Sequence, residues 1–234
     1  MRHSSQHNTA MKTLQIFAVV SMLALPLLQG LTFLLHYESF GGFFDFSLSK
    51  PPYTTDQEWA KISDPARGWR YFFMPHYLAY FILPFYLGIA ATIARAIWAK
   101  APLLAVIGSI TTAIGLIYMG GVFGAWLSFG AVTNLAPEAG MSAFLALTEM
   151  KGALMITSVL SLLAILGLAI LGTGLIITRA VPLWAGLCFL IGNILIVVMM
   201  DRDNWMFVGT LLMLAGLSPL IRHIHQDHLS RSQK

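Results

Sequence analysis

Residues 152–178 read GALMITSVLSLLAILGLAILGTGLIIT, 27 positions without a single charge. A helix crossing the hydrocarbon core of a bilayer needs about 20 predominantly apolar residues, so this stretch is long enough to span. Inside lipid, backbone N–H and C=O groups find no water, and a spanning segment of this kind satisfies them by coiling into a helix. Five more charge-free runs flank it: Leu14–Leu35, Tyr71–Ala94, Pro102–Leu127, Pro182–Met200 and Trp205–Ile221. The fold read from these runs is all-α, a polytopic membrane helical bundle of about six transmembrane helices. A membrane β-barrel would instead need alternating strands of about ten residues, and the sequence has none.

Composition points the same way. Of 234 residues, 57% are apolar and 10% charged, against about 25% charged in soluble domains. Too few polar residues remain to coat a soluble fold of this size. The chain divides into a polar tail at 1–13, a membrane domain at 14–221 with a long loop at 36–70, and a second tail at 222–234. Met11-Lys12 before an apolar run resembles a signal peptide. However, Leu14–Leu35 runs 22 residues, beyond the roughly 7–15 of a signal h-region, so a retained first span is expected despite Pro26 and Gln29. The tail Met1–Ala10 is expected to be disordered. Cys188 is the single cysteine, which excludes an intrachain disulfide and a CxxC redox pair.

Six spans put both termini on one side, and the charges sort accordingly. That side carries Arg2, Lys12, Arg95, Lys100, Arg179, Arg222, Arg231 and Lys234, with Asp227 as its one acid. The other holds Lys50, Lys61, Arg67, Arg70, Lys151 and Arg202 against nine acids. The 8-to-6 basic split votes for cytoplasmic termini under the positive-inside rule, in which acids count for little. This reading places the chain in the cell inner (cytoplasmic) membrane.

Several segments carry local signals. Lys50-Pro51-Pro52 stops regular structure in the long loop. Thr55-Asp56-Gln57-Glu58 fits a capping box, predicting a short helix near Asp56–Ile62 that lies on the membrane surface through Trp59 and Ile62. Gly120 and Gly124 form a GxxxG spacing that permits close helix contact. As a single helix, Met141–Thr178 would reach about 57 Å at about 1.5 Å per residue, so an interfacial segment, Ser142–Met150, is expected before a span that starts near Lys151–Gly152. Leu87-Gly88…Arg95-Ala96-Ile97…Pro102-Leu103-Leu104-Ala105 is matched by Leu171-Gly172…Arg179-Ala180-Val181-Pro182-Leu183-Trp184-Ala185. A duplicated hairpin explains this, and so does the ordinary preference of turns for Arg at one helix end and Pro at the next start.

The run Gly167–Gly192, with Gly172, Arg179, Pro182, Trp184-Ala185-Gly186 and Gly192, resembles the last helical hairpins of uncharacterised bacterial six-span integral membrane proteins. Glu58-Trp59-Ala60-Lys61-Ile62…Asp64-Pro65…Gly68-Trp69-Arg70 is similar to their outer loop. The resemblance covers about two-thirds of the chain. It implies a six-span fold and no catalytic residues, and the long Asn134–Met150 segment departs from it.

The runs contain no Asp, Glu, Lys or Arg, which argues against intramembrane proton relays and ion paths. Polar chemistry is therefore expected at the outer mouth, where His36, Glu38, His76, Glu149, Asp201 and Asp203 come from span ends. Together with Tyr80, which shares a helix face with His76 at i,i+4, these are the candidate ligand-binding residues. The competing account is a set of solvated turn residues, with Asp203 or Asn204 capping the sixth span. His36 and His76 on neighbouring helices have the types that ligate haem or a metal, and interfacial histidines also occur simply because they pair an apolar body with a polar tip. Asn193, mid-span, is expected to donate between helices. The tail residues His223, His225, Asp227 and His228 read as a basic juxtamembrane segment or a His-rich metal tract.

No catalytic residue, resident metal or cofactor is assigned. The function expected is a small-molecule-binding or transport-related membrane protein, or a subunit of a membrane complex. The alternative is an intramembrane haem or metal protein using the outer histidines. Expected partners are membrane lipids, a small molecule at the outer face and an oligomer or complex, with no nucleic acid.

Overall fold

The computed structural model describes residues 2–37, 40–46, 55–135, 137–148, 152–199 and 202–232. Among them every regular element is helical. The principal helices are α1 (Arg2–Leu35), α2 (Thr55–Ile62), α3 (Met74–Phe81), α4 (Leu83–Ile97), α5 (Pro102–Leu135), α6 (Pro137–Thr148), α7 (Ala153–Ser161), α8 (Leu163–Thr178), α9 (Leu183–Val198) and α10 (Asp203–Ser232).

Five stretches are long and apolar enough to cross a membrane: Lys12–Leu35, Ala66–Ile97, Pro102–Ala131, Ala153–Thr178 and Asp203–Gln226. The remaining apolar run forms the shorter α9. Mid-helix side chains such as Ile117 and Ile191 are 74% and 50% exposed, a surface that water would disfavour and acyl chains would cover. The protein is a membrane-embedded, multi-pass helical bundle.

The helices follow one another round a ring. α1 packs on α4, α4 on α5, α5 on α7 and α8, α8 on α9, and α9 on α10, which returns to α1. α4 also touches α8 across the middle. Turns at one end carry the basic residues, where Lys100 Nζ donates to the Thr178 carbonyl at 3.1 Å. The other is the acid-rich end.

Close approach between neighbours comes from glycines other than the predicted pair. A Cβ on Gly115 would fall on the backbone of Leu163 and Ala164, and one on Gly192 would crowd Gly209 and Met213 of α10. By contrast, Gly124 has open space around it, and Gly120 meets only the tip of Leu83 at 3.8 Å. Among the described residues the GxxxG spacing therefore makes no close contact.

Other expectations are corrected. The helix of α1 begins at Arg2, so the N-terminal segment extends the span as helix. Asn193 Nδ2 donates to the Phe189 carbonyl four residues back in its own helix, and this donor makes no bridge between helices. Trp59 and Ile62 of α2 turn inward: Ile62 is 3% exposed and Trp59 packs on Phe129 and Phe144. Gly140 of α6 leaves room for the Trp59 ring. Of the proposed capping box, the side chains of Thr55 and Glu58 lie outside the described residues, as do Glu149–Lys151. Gly152, in the left-handed region at φ +62°, separates α6 from α7, as length required. The two turns of the suspected repeat differ. Arg95 stays inside α4, whereas Arg179 leaves α8 left-handed at φ +52°.

Candidate functional site: a central cavity and its polar cover

Two spans are interrupted at mid-membrane depth. Between α3 and α4 the helix loosens at Ile82, because Pro84 has no N–H to give and its ring crowds the preceding turn. About three turns earlier, residues Trp69–Phe73 widen into a π-helix just before Pro75, a common accommodation to such strain. α7 and α8 are likewise separated at Leu162, whose N–H bonds Val159 three residues back. Irregular backbone at membrane depth is tolerated where it is buried in protein or lines a cavity. Here it lines one.

The cavity has a volume of about 190 Å³ and lies at the centre of the ring. Gln29, Tyr86, Phe123, Ile165, Ile196 and Met206 contribute one wall each, and the interrupted positions Ile82 and Leu162 both face it. Its polar features are few. Gln29 Nε2 donates to the Tyr86 hydroxyl at 2.8 Å, and Thr32 Oγ1 donates to the Gln29 carbonyl at 2.6 Å. Gln29 is 7% exposed, and its Oε1 is buried with no partner. A larger depression of about 700 Å³ borders the Arg179–Leu183 turn, but it is an open groove on the outside of the bundle.

One turn toward the acid-rich end, a second layer covers the cavity. Phe33, Ala79, Phe123 and Met206 line the cavity. Three residues further along each helix stand His36, His76, Trp126 and Asp203, which is about 4.5 Å of rise. His36 Nδ1 lies 3.0 Å from Asp203 Oδ2. A carboxylate only accepts, so the imidazole donates. His76 Nδ1 lies 2.7 Å from the Phe72 carbonyl and donates there for the same reason. The two imidazole rings are 5.5 Å apart, and the His76 ring rests on Phe72 at 4.5 Å and on Trp126 at 5.3 Å. In neutral rings both Nε2 atoms would carry lone pairs, and His36 Nε2 is buried without a partner. Lys61 Nζ donates to the His36 carbonyl at 3.1 Å, tying α2 to this layer.

No known protein family, curated protein or solved structure matches this chain. The site is therefore read from its own geometry.

Of the residues singled out in the sequence, His36, His76 and Asp203 come together. Tyr80 does not: it is 38% exposed, meets Phe81 edge-on at 5.8 Å, and lines neither the cavity nor its cover. Glu38, Glu149 and Asp201 lie outside the described residues. Asn204 lies inside α10, past the capping position, and ties down the loop at 36–70. Its Nδ2 holds the Asp45 carbonyl at 2.7 Å, while Trp205 Nε1 holds that of Phe46 at 3.2 Å. In the C-terminal tract His223 and His225 are exposed on α10, and the side chains of Asp227 and His228 lie outside the described residues. Among the described residues no group of three or more His, Cys, Asp or Glu stands in metal-binding geometry.

Gln29 and Tyr86 were not recognised in the sequence as site residues. Their signals were a Gln at the middle of a span and Pro84 two residues before Tyr86.

Proposed function

We propose that this chain binds a small, neutral, amphipathic molecule within the bilayer, as a binding or transport-related component of the bacterial inner membrane. The observation that carries the reading is the central cavity: walls from every apolar run, two interrupted helices facing it, and one unsatisfied amide oxygen inside. Ligand pockets are mostly apolar with a few placed polar groups, and interrupted helices at the midplane are a recurrent way for transporters to build binding sites. In this reading the chain has both termini in the cytoplasm and belongs with the six-span bacterial proteins that its hairpins resemble. It acts alone, as an oligomer or within a larger complex.

Toluene titrated into the purified protein in lipid nanodiscs tests the cavity. Saturable binding is expected, and Ala79→Phe, which fills the space, should abolish it. Unsaturable partitioning that is identical in both proteins would sink the reading. Orientation is tested separately, in a Cys188→Ala background, with cysteines placed at Asp45 and at Gln226. Labelling by an impermeant maleimide in intact spheroplasts should occur only at position 45.

A second reading, a metal or haem centre, has one observation in its favour. Two histidines each have Nδ1 engaged by a carboxylate or a backbone carbonyl, the arrangement that orients metal-ligating imidazoles. An absorption spectrum and elemental analysis decide it: neither a Soret band nor a stoichiometric metal would remove this alternative.

A further inference from the structure

The cavity reading can be taken one step further, to the chemistry of the molecule held. We infer that the ligand is a one-ring or similarly small compound bearing a hydroxyl group, and that the hydroxyl is captured by the Gln29–Tyr86 pair. This inference rests on the central cavity being a binding site.

Size sets the first limit. A protein cavity of about 150 Å³ holds benzene, so a cavity of about 190 Å³ takes a single ring with a short substituent. The walls set the second. Apart from the Gln29–Tyr86 pair the walls carry no charge, and their two hydroxyls, Thr32 and Ser161, are spent on the backbone carbonyls of Gln29 and Ser158, so the body of the ligand is apolar and the molecule neutral.

The polar end follows from counting donors and acceptors. Gln29 Nε2 is used on the Tyr86 oxygen, which leaves Gln29 Oε1 as a buried acceptor without a donor. Tyr86, 4% exposed, retains its own O–H proton. The pair therefore offers one acceptor, Oε1, beside two remaining donors, the Tyr86 O–H and the second Nε2 N–H. A hydroxyl is the smallest neutral group that supplies both complements. With the Gln29 amide rotated so that its oxygen accepts from Tyr86, only N–H groups would face the cavity and an acceptor alone would answer them, so the hydroxyl assignment belongs to the orientation in which Nε2 donates to Tyr86. An ether or aldehyde, which only accepts, leaves Oε1 unsatisfied, and a buried unsatisfied polar group is disfavoured.

The probes are benzyl alcohol, anisole and toluene, with nearly the same ring and length. Each is titrated into the full-length protein in nanodiscs, with partitioning into empty nanodiscs subtracted. Wild type is expected to bind benzyl alcohol about tenfold more tightly than toluene, with anisole near toluene. Gln29→Met keeps the length and loses both polar atoms, so the preference should collapse while toluene still binds. Tyr86→Phe, which keeps the ring, should weaken benzyl alcohol alone and guards against a Gln29→Met protein that fails to fold. Saturable toluene binding with no preference for benzyl alcohol in wild type, or with the preference intact in both variants, would overturn the hydroxyl assignment and leave the cavity reading standing. Absence of saturable toluene binding would overturn both.

Discussion

His36 and Asp203 stand 167 positions apart and meet through a 3.0 Å contact between Nδ1 and Oδ2. The contact joins the residue just past the end of α1 to the first residue of α10, where the ring of helices closes. It also fixes the tilt of the His36 ring, and so the direction in which its unpartnered Nε2 points. Both side chains are about a quarter exposed, so the pair is screened less than a surface ion pair and costs less to desolvate than a buried one.

Asp203→Ala is expected to lower stability in detergent by about 1.5–3 kcal/mol, the range for a hydrogen bond to a charged group. Asp203→Asn, which can still accept from His36 Nδ1, should lose less. Thermal melts of the three proteins under one detergent condition check this. An alanine variant that melts with wild type would show that the pair contributes nothing.

His76→Ala should cost about 2 kcal/mol or more, because the ring fills space among Phe72, Trp126 and His36 that a methyl leaves empty. His76→Phe keeps the ring and loses only the bond to the Phe72 carbonyl, so it should lie nearer wild type. Melting temperature ranks the three, and unchanged stability in His76→Ala would remove this residue from the cover.

A methyl group distinguishes the glycines of α5. Gly115→Ala places a Cβ on the backbone of Leu163 and Ala164, where nothing can swing aside, and should cost about 1–3 kcal/mol as overpacking. Gly124→Ala meets open space and should be neutral or stabilising by up to about 1 kcal/mol through helix propensity. Equal melting temperatures for these two variants would contradict the packing described for α5 and α8.

Pro84→Ala restores the missing backbone donor and lets α3 and α4 run together. The bundle should melt at or above the wild-type temperature, while toluene binding weakens because Ile82 and Leu83 rotate away from the cavity they now line. Unchanged affinity would mean that the interruption has no part in shaping the site.

How much of this was legible beforehand depends on the range of the physics involved. Helix positions follow from hydropathy, a property of each segment taken alone, so the runs at 102–127 and 152–178 fall inside α5 and within α7–α8. Contacts depend on which faces meet, and there local patterns misled. The Gly120/Gly124 spacing looked like an interface, while the real close approach is at Gly115, which carries no motif. Trp59 looked amphipathic and turned out to be covered by α6. Asn193 found a partner in its own helix. The His36–His76–Asp203 grouping was readable because all three are span ends on one side, so topology alone brings them to one level. The cavity was not, because it arises from two interruptions: Pro84 announces one, and nothing in the sequence around Leu162 announces the other.

The ring order also bears on how the protein is made. α1 is made before the other described helices, yet one of its flanks is covered by α10, which is made after them: Gly30 lies against Phe207 and Thr210. Throughout translation of the intervening chain, that flank must face acyl chains or an insertion factor, and the wall that Met206 supplies is missing. A nascent chain halted before residue 203 would therefore have an open furrow in place of the pocket, with Gln29 and Thr32 within reach of lipid. Completion of the binding site therefore waits on the synthesis of α10.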